Sequence, residues 1–402
     1  MLKLFDLAPP DVSYPLLAFT YLAPLIYFLD LQGIAPAFSL FLVGETGSFK
    51  TVTSMLYLAH FRNYNGMSDT PPTNFHSTSN AIEKMSFDLK DALLLVDDYH
   101  PTTFSEKKRM DQIAQRLARG AGDHASRARM NSDTTLKASF IPRGLSMVTG
   151  EDLPDVGQSG LARYYFVNFN KGDIDTAALT ERQNNADLLN LAMQGYIKWL
   201  IQNADDIRNQ VKGLYAEYLK AAAIPGSHSR TAATIACLQL AIGVFADYIH
   251  NTGAVTETEK TAFMENAWTV FLKGGAEQTK TQVEETPVNI FLSVLAGLLA
   301  AGKVTTENPN ALAADAPPPG RSIGYHDEDY YYLRPDDVYN EVIDVVQRGG
   351  RSFPVSKKRI IADLVKAEYA IGQGTNNTVK WRVRDTNLRY LKLKKTALKE
   401  GI

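Results

Sequence analysis

Residues Gly44-Glu45-Thr46-Gly47-Ser48-Phe49-Lys50-Thr51 combine three things that phosphate chemistry needs. Glycines leave backbone N–H groups free to surround an anion, Lys50 brings a compact charge to the β and γ phosphates, and the Thr51 hydroxyl is a magnesium ligand. Gly44, Glu45, Thr46, Gly47, Ser48, Phe49, Lys50 and Thr51 are therefore the expected binding residues for ATP and Mg2+. Phe49 stands where the usual pattern has glycine, and a phenylalanine with φ > 0 is strained unless the loop takes a variant path.

A second carboxylate site follows in Leu93-Leu94-Leu95-Val96-Asp97-Asp98. Aliphatic residues ending in two acids place Asp97 at the C-terminal edge of a buried strand, where it can share the metal with Thr51. Asp98 can then polarise the attacking water. Capping of the next turn is the plainer role for such a pair. Thr149, in Val148-Thr149-Gly150-Glu151, ends another apolar run and can orient the same water, although a threonine there is also a common turn former.

Arginines cluster between these two runs: Arg116, Arg119, Arg127 and Arg129, with Arg163 further on. Arg127, Arg129 and Arg163 are candidates for reaching the γ-phosphate held by a neighbouring subunit; the same groups suit DNA phosphates or a solvated basic face. The polar turn at Asn131 to Thr134 makes Ala128 to Phe140 read as a hairpin, and Lys137 beyond it is a candidate DNA contact.

Strands and helices must hold these residues. Pro36 to Val43, Ala92 to Val96, Gly144 to Val148 and Tyr164 to Asn168 are short apolar runs of the kind buried in a parallel sheet. Helical patterns at Thr51 to Phe61 and Lys107 to Ala118 separate them. The expected fold is an α/β P-loop NTPase core over residues 36–175, preceded by a helical flank at 1–35. Tyr14 to Leu31 is apolar but carries Pro15, Pro24 and Asp30, so it reads as a buried helix and not as a membrane span.

Residues 176–305 show helical periodicity and read as an all-helical domain. A linker is expected over 306–326, where Asn308 to Arg321 includes three consecutive prolines. The remaining segment, 327–402, has helical runs at Asp336 to Gln347 and Ser356 to Tyr369 and then an alternating stretch from Val379 to Arg384, an order consistent with a winged helix.

The chain has 402 residues, about two to three times a typical domain, with 45% hydrophobic and 21% charged residues. That composition excludes a disordered chain. Its one cysteine, Cys237, excludes an internal disulfide or a cysteine-based metal cluster, and no signal peptide is evident, so a cytoplasmic location is expected. The net charge of −2 conceals an asymmetry. Lys357 to Ile402 holds twelve basic and four acidic residues, a net of +8, which leaves −10 for everything before it. In a winged helix, Lys357, Lys358 and Arg359 would start the second helix and Lys380, Arg382 and Arg384 would line the wing. Trp381 and Tyr390 are available for stacking.

Four stretches, Phe41 to Thr51, Val96 to Pro101, Ser126 to Met130 and Arg143 to Pro154, resemble a family of bacterial ATPases encoded by prophages and mobile elements. That family is similar to AAA+ replicative helicases of staphylococcal cassette elements and often sits beside or fused to a primase. The runs His228 to Thr231, Gly324-Tyr325 and Tyr332 to Pro335 resemble its C-terminal half. The resemblance implies a homo-hexameric ring, translocation on single-stranded or forked DNA, and work with a separate primase. A DNA- or protein-binding ATPase switch in regulation or defence is the alternative, and a small-molecule kinase is disfavoured because no lid with acceptor-binding residues is apparent.

Overall fold

The computed structural model describes residues 2–64, 66, 70–123, 140–309, 320–351, 353, 355–383 and 386–398. Two compact units emerge, Met1–Gln282 and Val283–Ile402. In the first, helices α1 (Pro10–Leu22) and α2 (Ile26–Asp30) precede a sheet of β1 (Ser39–Val43), β2 (Thr73–Asn74), β3 (Lys90–Tyr99), β4 (Arg143–Gly150) and β5 (Tyr164–Asn168). Helices α3 (Lys50–Leu58), α4 (Ser79–Asp88), α5 (Phe104–Asp123) and α6 (Gly157–Leu161) alternate with the strands.

Every strand pairing in this sheet is parallel, in the order β2-β3-β4-β1-β5. Leu40, Phe41, Leu42, Leu94, Leu95, Val96 and Val148 are all essentially inaccessible, as strands covered on both faces require. Because β1 lies between β4 and β5, the C-terminal ends of β1, β3 and β4 converge on one edge of the sheet. That edge is where open α/β sheets bind ligands.

Helices α7 (Thr176–Asn184), α8 (Asp187–Gln202), α9 (Ala204–Ala221), α10 (Ser229–Asn251) and α11 (Glu257–Glu284) follow. They do not form a domain of their own, and the first 35 residues are not a separate flank. Tyr21 of α1 packs 4.3 Å from Phe245 of α10 and 4.9 Å from Tyr196 of α8, ring centre to ring centre, in one core shared with the sheet. A helix apolar all round, such as α1, needs neighbours on every side. By length and composition Pro10–Asp30 and Ser229–Asn251 could cross a membrane; here 89% and 83% of their apolar windows are buried inside the protein. Cys237 of α10 is also buried, which pushes its thiol up to about 12.

The second unit comprises α12 (Pro287–Ala300), β6 (Val304–Glu307), β7 (Arg321–His326), β8 (Tyr330–Leu333), α13 (Pro335–Arg348), α14 (Lys357–Lys366), β9 (Ala370–Ile371), β10 (Val379–Val383) and β11 (Thr386–Lys394). Its six-stranded sheet runs β10-β11-β8-β7-β6, with β9 also on β11. Two expected boundaries are corrected. Helix α12 belongs here and not to the helical region before it, since Leu292 and Leu295 share a core with Val342 and Leu364. The 306–326 segment is no plain linker, because Arg321–His326 is a strand paired in parallel with Val304–Glu307.

His60, at the end of α3, illustrates how this packing couples to pH. It is fully buried between the Tyr21 and Tyr57 rings, with Nδ1 donating to the Tyr57 carbonyl oxygen at 2.8 Å, and burial lowers its pKa from 6.5 to about 4. The unfolded chain binds this proton more readily, so the stabilisation holds above pH 6.5 and is lost as pH falls toward 4. The expected loss is about 3 kcal/mol, since a tenfold difference in proton affinity between the two states is worth about 1.4 kcal/mol. Urea unfolding at pH 7 and pH 4.5 checks it: His60→Phe should flatten the pH dependence, and an equally steep profile in the variant would contradict the assignment.

Candidate nucleotide-binding site

The phosphate loop joins β1 to α3. Gly44 starts it where no side chain fits, since a Cβ there would lie 2.2 Å from the Phe169 carbonyl oxygen. Gly47 has φ of +86°, and Phe49, just before α3, has φ 64° and ψ 19°. The phenylalanine thus occupies the left-handed region that glycine usually fills, with its side chain 41% exposed. Left-handed backbone costs a residue with a Cβ about 1–2 kcal/mol, while glycine loses about 0.5–1 kcal/mol through the freer unfolded chain. Phe49→Gly is therefore expected to raise stability by up to about 1 kcal/mol, measured by urea midpoint. A lower midpoint would show that the ring is needed for packing.

Lys50 is buried at the start of α3. Its Nζ donates to the carbonyl oxygens of Gly44 at 2.6 Å and Glu45 at 2.9 Å, and to Ser48 Oγ at 3.2 Å. Burial lowers its pKa, and the carboxylates of Glu151, Asp97 and Asp98 oppose that shift. The ammonium is held inside the loop, pointing at carbonyl oxygens that an anion would displace.

Asp97 ties β3 to β4 and to the start of α3. Its Oδ1 accepts from Thr51 Oγ1 at 2.9 Å and from Thr149 Oγ1 at 2.5 Å. Thr149 Oγ1 in turn accepts the Asp98 N–H at 3.0 Å. The β3–β4 register shifts between Val96 and Tyr99, and Asp98 within that bulge has φ 67° and an exposed side chain. A bulge re-aims a side chain; here it turns Asp98 into a cleft of about 280 Å3 lined also by Thr46, Lys50, Thr51, Thr149 and Glu151.

Glu151 is a member of the site that sequence pattern does not pick out. It hydrogen-bonds Thr46 of the phosphate loop and lies 2.9 Å from Nδ1 of His100, so β4, β3 and the loop meet at one carboxylate. An acid just past a strand end reads as an ordinary turn residue, and nothing in its spacing separates it from one. Glu45 is exposed and pairs with Lys171 at 2.7 Å, which holds its carboxyl below the usual range.

Arg163 does not line this cleft. It donates to Asp123 Oδ1 at 2.7 Å, to the Ser159 carbonyl oxygen at 2.5 Å and to Ser159 Oγ at 2.7 Å, leaving its side chain 11% exposed. Arg230 approaches the same Asp123 oxygen at 3.1 Å. Arg163 foremost, then Arg230, holds the Asp123 carboxyl below its ordinary range. The candidates Arg127, Arg129, Lys137 and Arg384 lie outside the described residues, as does the Ala128–Phe140 hairpin apart from Phe140.

In the second unit, Lys357 pairs with Asp336 and Arg359 lies 2.9 Å from Asp363, while Lys358 is exposed. Lys380 and Arg382 project from the exposed β10–β11 hairpin. Tyr390 is 1% exposed and cannot stack on a ligand as it stands.

A parallel α/β sheet with a glycine loop before a helix and an acid at the next strand end defines a P-loop-like core. No protein-family model and no curated protein sequence matches the chain. Among solved structures it is similar to "SCCmec type IV Cch - active helicase", with a TM-score of 0.63 and 13% identity, over 96% of this chain and 69% of that one. An apo structure of the NrS-1 C-terminal region matches over 77% of this chain and 74% of that chain at 13% identity, with a TM-score of 0.30, too low to define a common fold. The chain therefore shares the fold of the first of these structures.

Proposed function

We propose that the protein is an ATP-dependent DNA helicase or translocase of the AAA+ type, acting in replication of a mobile element or prophage. The observation that carries this reading is Asp97, which brings Thr51 and Thr149 together beside Lys50. Thr51 and Asp97 offer the hard oxygen donors that Mg2+ prefers. Magnesium bound there would neutralise charge on the β and γ phosphates. Lys50 exchanges its loop carbonyls for phosphate oxygens, Asp98 accepts a proton from the attacking water, and Thr149 fixes the Asp97 and Asp98 positions. Arg163 acts in trans at a neighbouring site of a homo-hexamer, and a separate primase supplies primers. In this reading the second unit, in which helices α13 and α14 precede the β10–β11 hairpin as the two helices of a winged helix precede its wing, binds single-stranded or forked DNA.

The alternative, a nucleotide switch without unwinding, is favoured by one observation: Arg163 is engaged by Asp123 within its own chain. ATP hydrolysis with and without single-stranded DNA tests whether Arg163 acts in trans. Stimulation by DNA, lost in Arg163→Ala and regained when that variant is mixed with a hydrolysis-defective subunit bearing Arg163, supports action in trans. Unstimulated hydrolysis in all mixtures contradicts it.

A further inference from the structure

We propose that the outer face of the second unit's sheet is a stacking platform for single-stranded DNA. The inference deepens the DNA-binding part of the proposed function and rests on it. Tyr325 pairs with Tyr332 across β7 and β8, and Tyr332 with Lys392 across β8 and β11, so all three side chains share one face. Val379 pairs with Tyr390, and two residues on along β10 the same face carries Trp381. The opposite face holds Leu333, Leu391 and Leu393 in the core with the helices.

On the outer face Trp381 stacks on Tyr332, with ring centres 4.0 Å apart and planes 27° from parallel. Tyr325 and Tyr390 meet it edge-on, each at 5.8 Å. Trp381, Tyr325 and Tyr330 remain partly exposed. Aromatic pairs across strands also stabilise sheets. What points to a ligand is the cation beside the rings: Lys392 Nζ lies 4.1 Å from the Tyr330 centroid and 5.4 Å from that of Tyr332, and Lys394 follows on the same face.

Charge complementarity selects the occupant: Lys392 and Lys394 bring cations onto this face, and its β10 and β11 strands, though not Tyr325, Tyr330 and Tyr332, lie in the Lys357 to Ile402 segment of net charge +8. Flat rings bordered by lysines suit unpaired bases and their phosphates, whereas a duplex hides its bases. The first turn of α14, where a winged helix reads a groove, has two of its three basic residues paired with carboxylates.

The experiment uses the full chain with Trp199→Phe and Trp268→Phe, leaving Trp381 as the only tryptophan. Its fluorescence is titrated, without nucleotide, with oligothymidylate, an abasic strand of the same length and a duplex. Saturable quenching by oligothymidylate and little by the other two is expected. Trp381→Ala, made in the wild-type chain and followed by anisotropy of labelled oligothymidylate, should weaken binding about tenfold, Trp381→Phe less, and Lys392→Gln should flatten the salt dependence. Equal quenching by the abasic strand would reduce the face to a phosphate contact and overturn stacking, as would preference for duplex or absence of quenching. If quenching fails while oligothymidylate still stimulates ATP hydrolysis, this assignment alone falls; if both fail, the DNA reading falls with it.

Discussion

Lys50→Ala is expected to lower the ATP turnover rate by at least about 100-fold, with the fold intact. Removing one preorganised positive or hydrogen-bonding group from a charge-developing site costs about 10²–10³ in rate. Lys50 qualifies because it is buried, bonded among the described residues to loop oxygens, and part of the cleft lining. Truncation takes a cation away from the carboxylates of Glu151, Asp97 and Asp98 but leaves the apolar core untouched, so the circular dichroism spectrum should barely change. Steady-state hydrolysis by the purified variant is the check. Turnover within a few-fold of wild type would move the nucleotide site elsewhere.

Asp97→Asn should have an effect of similar size for a different reason. The amide keeps the shape, and its oxygen can still accept from both hydroxyls that now reach Asp97 Oδ1, but it loses the charge that would hold the metal. Loss of about 100-fold in turnover is expected, with magnesium dependence displaced to higher concentration. Thr149→Val in the same background should add little, because Thr149 acts through Asp97 and its neighbour. Additive losses would show that Thr149 has an independent role. Glu151→Gln is the informative companion: it keeps a partner for Thr46 but removes the carboxylate that most favours the charged form of Lys50.

The phosphate loop is legible in the sequence because its parts are contiguous and its geometry is local. Asp97 and Thr149 are legible as separate strand ends, yet their shared hydrogen bond depends on which strands are neighbours, and the β3–β4 pairing spans about fifty residues of chain. Phe49 reads from its position as a conformational cost, and it does lie in the left-handed region. Glu151 escapes sequence pattern because its partners, Thr46 and His100, come from two other segments.

Larger boundaries are harder to read for the same reason. An apolar helix shows the same periodicity whichever core it joins, so periodicity alone sets α1 apart from the helical region it packs against and places α12 in the wrong unit. The β7 strand is hidden behind a proline-rich stretch, and its parallel partner β6 lies on the far side of it. Tyr390 alternates with charged residues as a solvent-facing strand residue would, but Trp381 and Tyr325 cover it.

Strand separation tests the central claim most directly. A labelled forked DNA is incubated with the protein, ATP and Mg2+, beside Lys50→Ala and a control with a non-hydrolysable ATP analogue. Release of the displaced strand by the wild type alone is the predicted result. DNA binding and ATP hydrolysis without any release would contradict a helicase and leave a translocase or the nucleotide switch in its place.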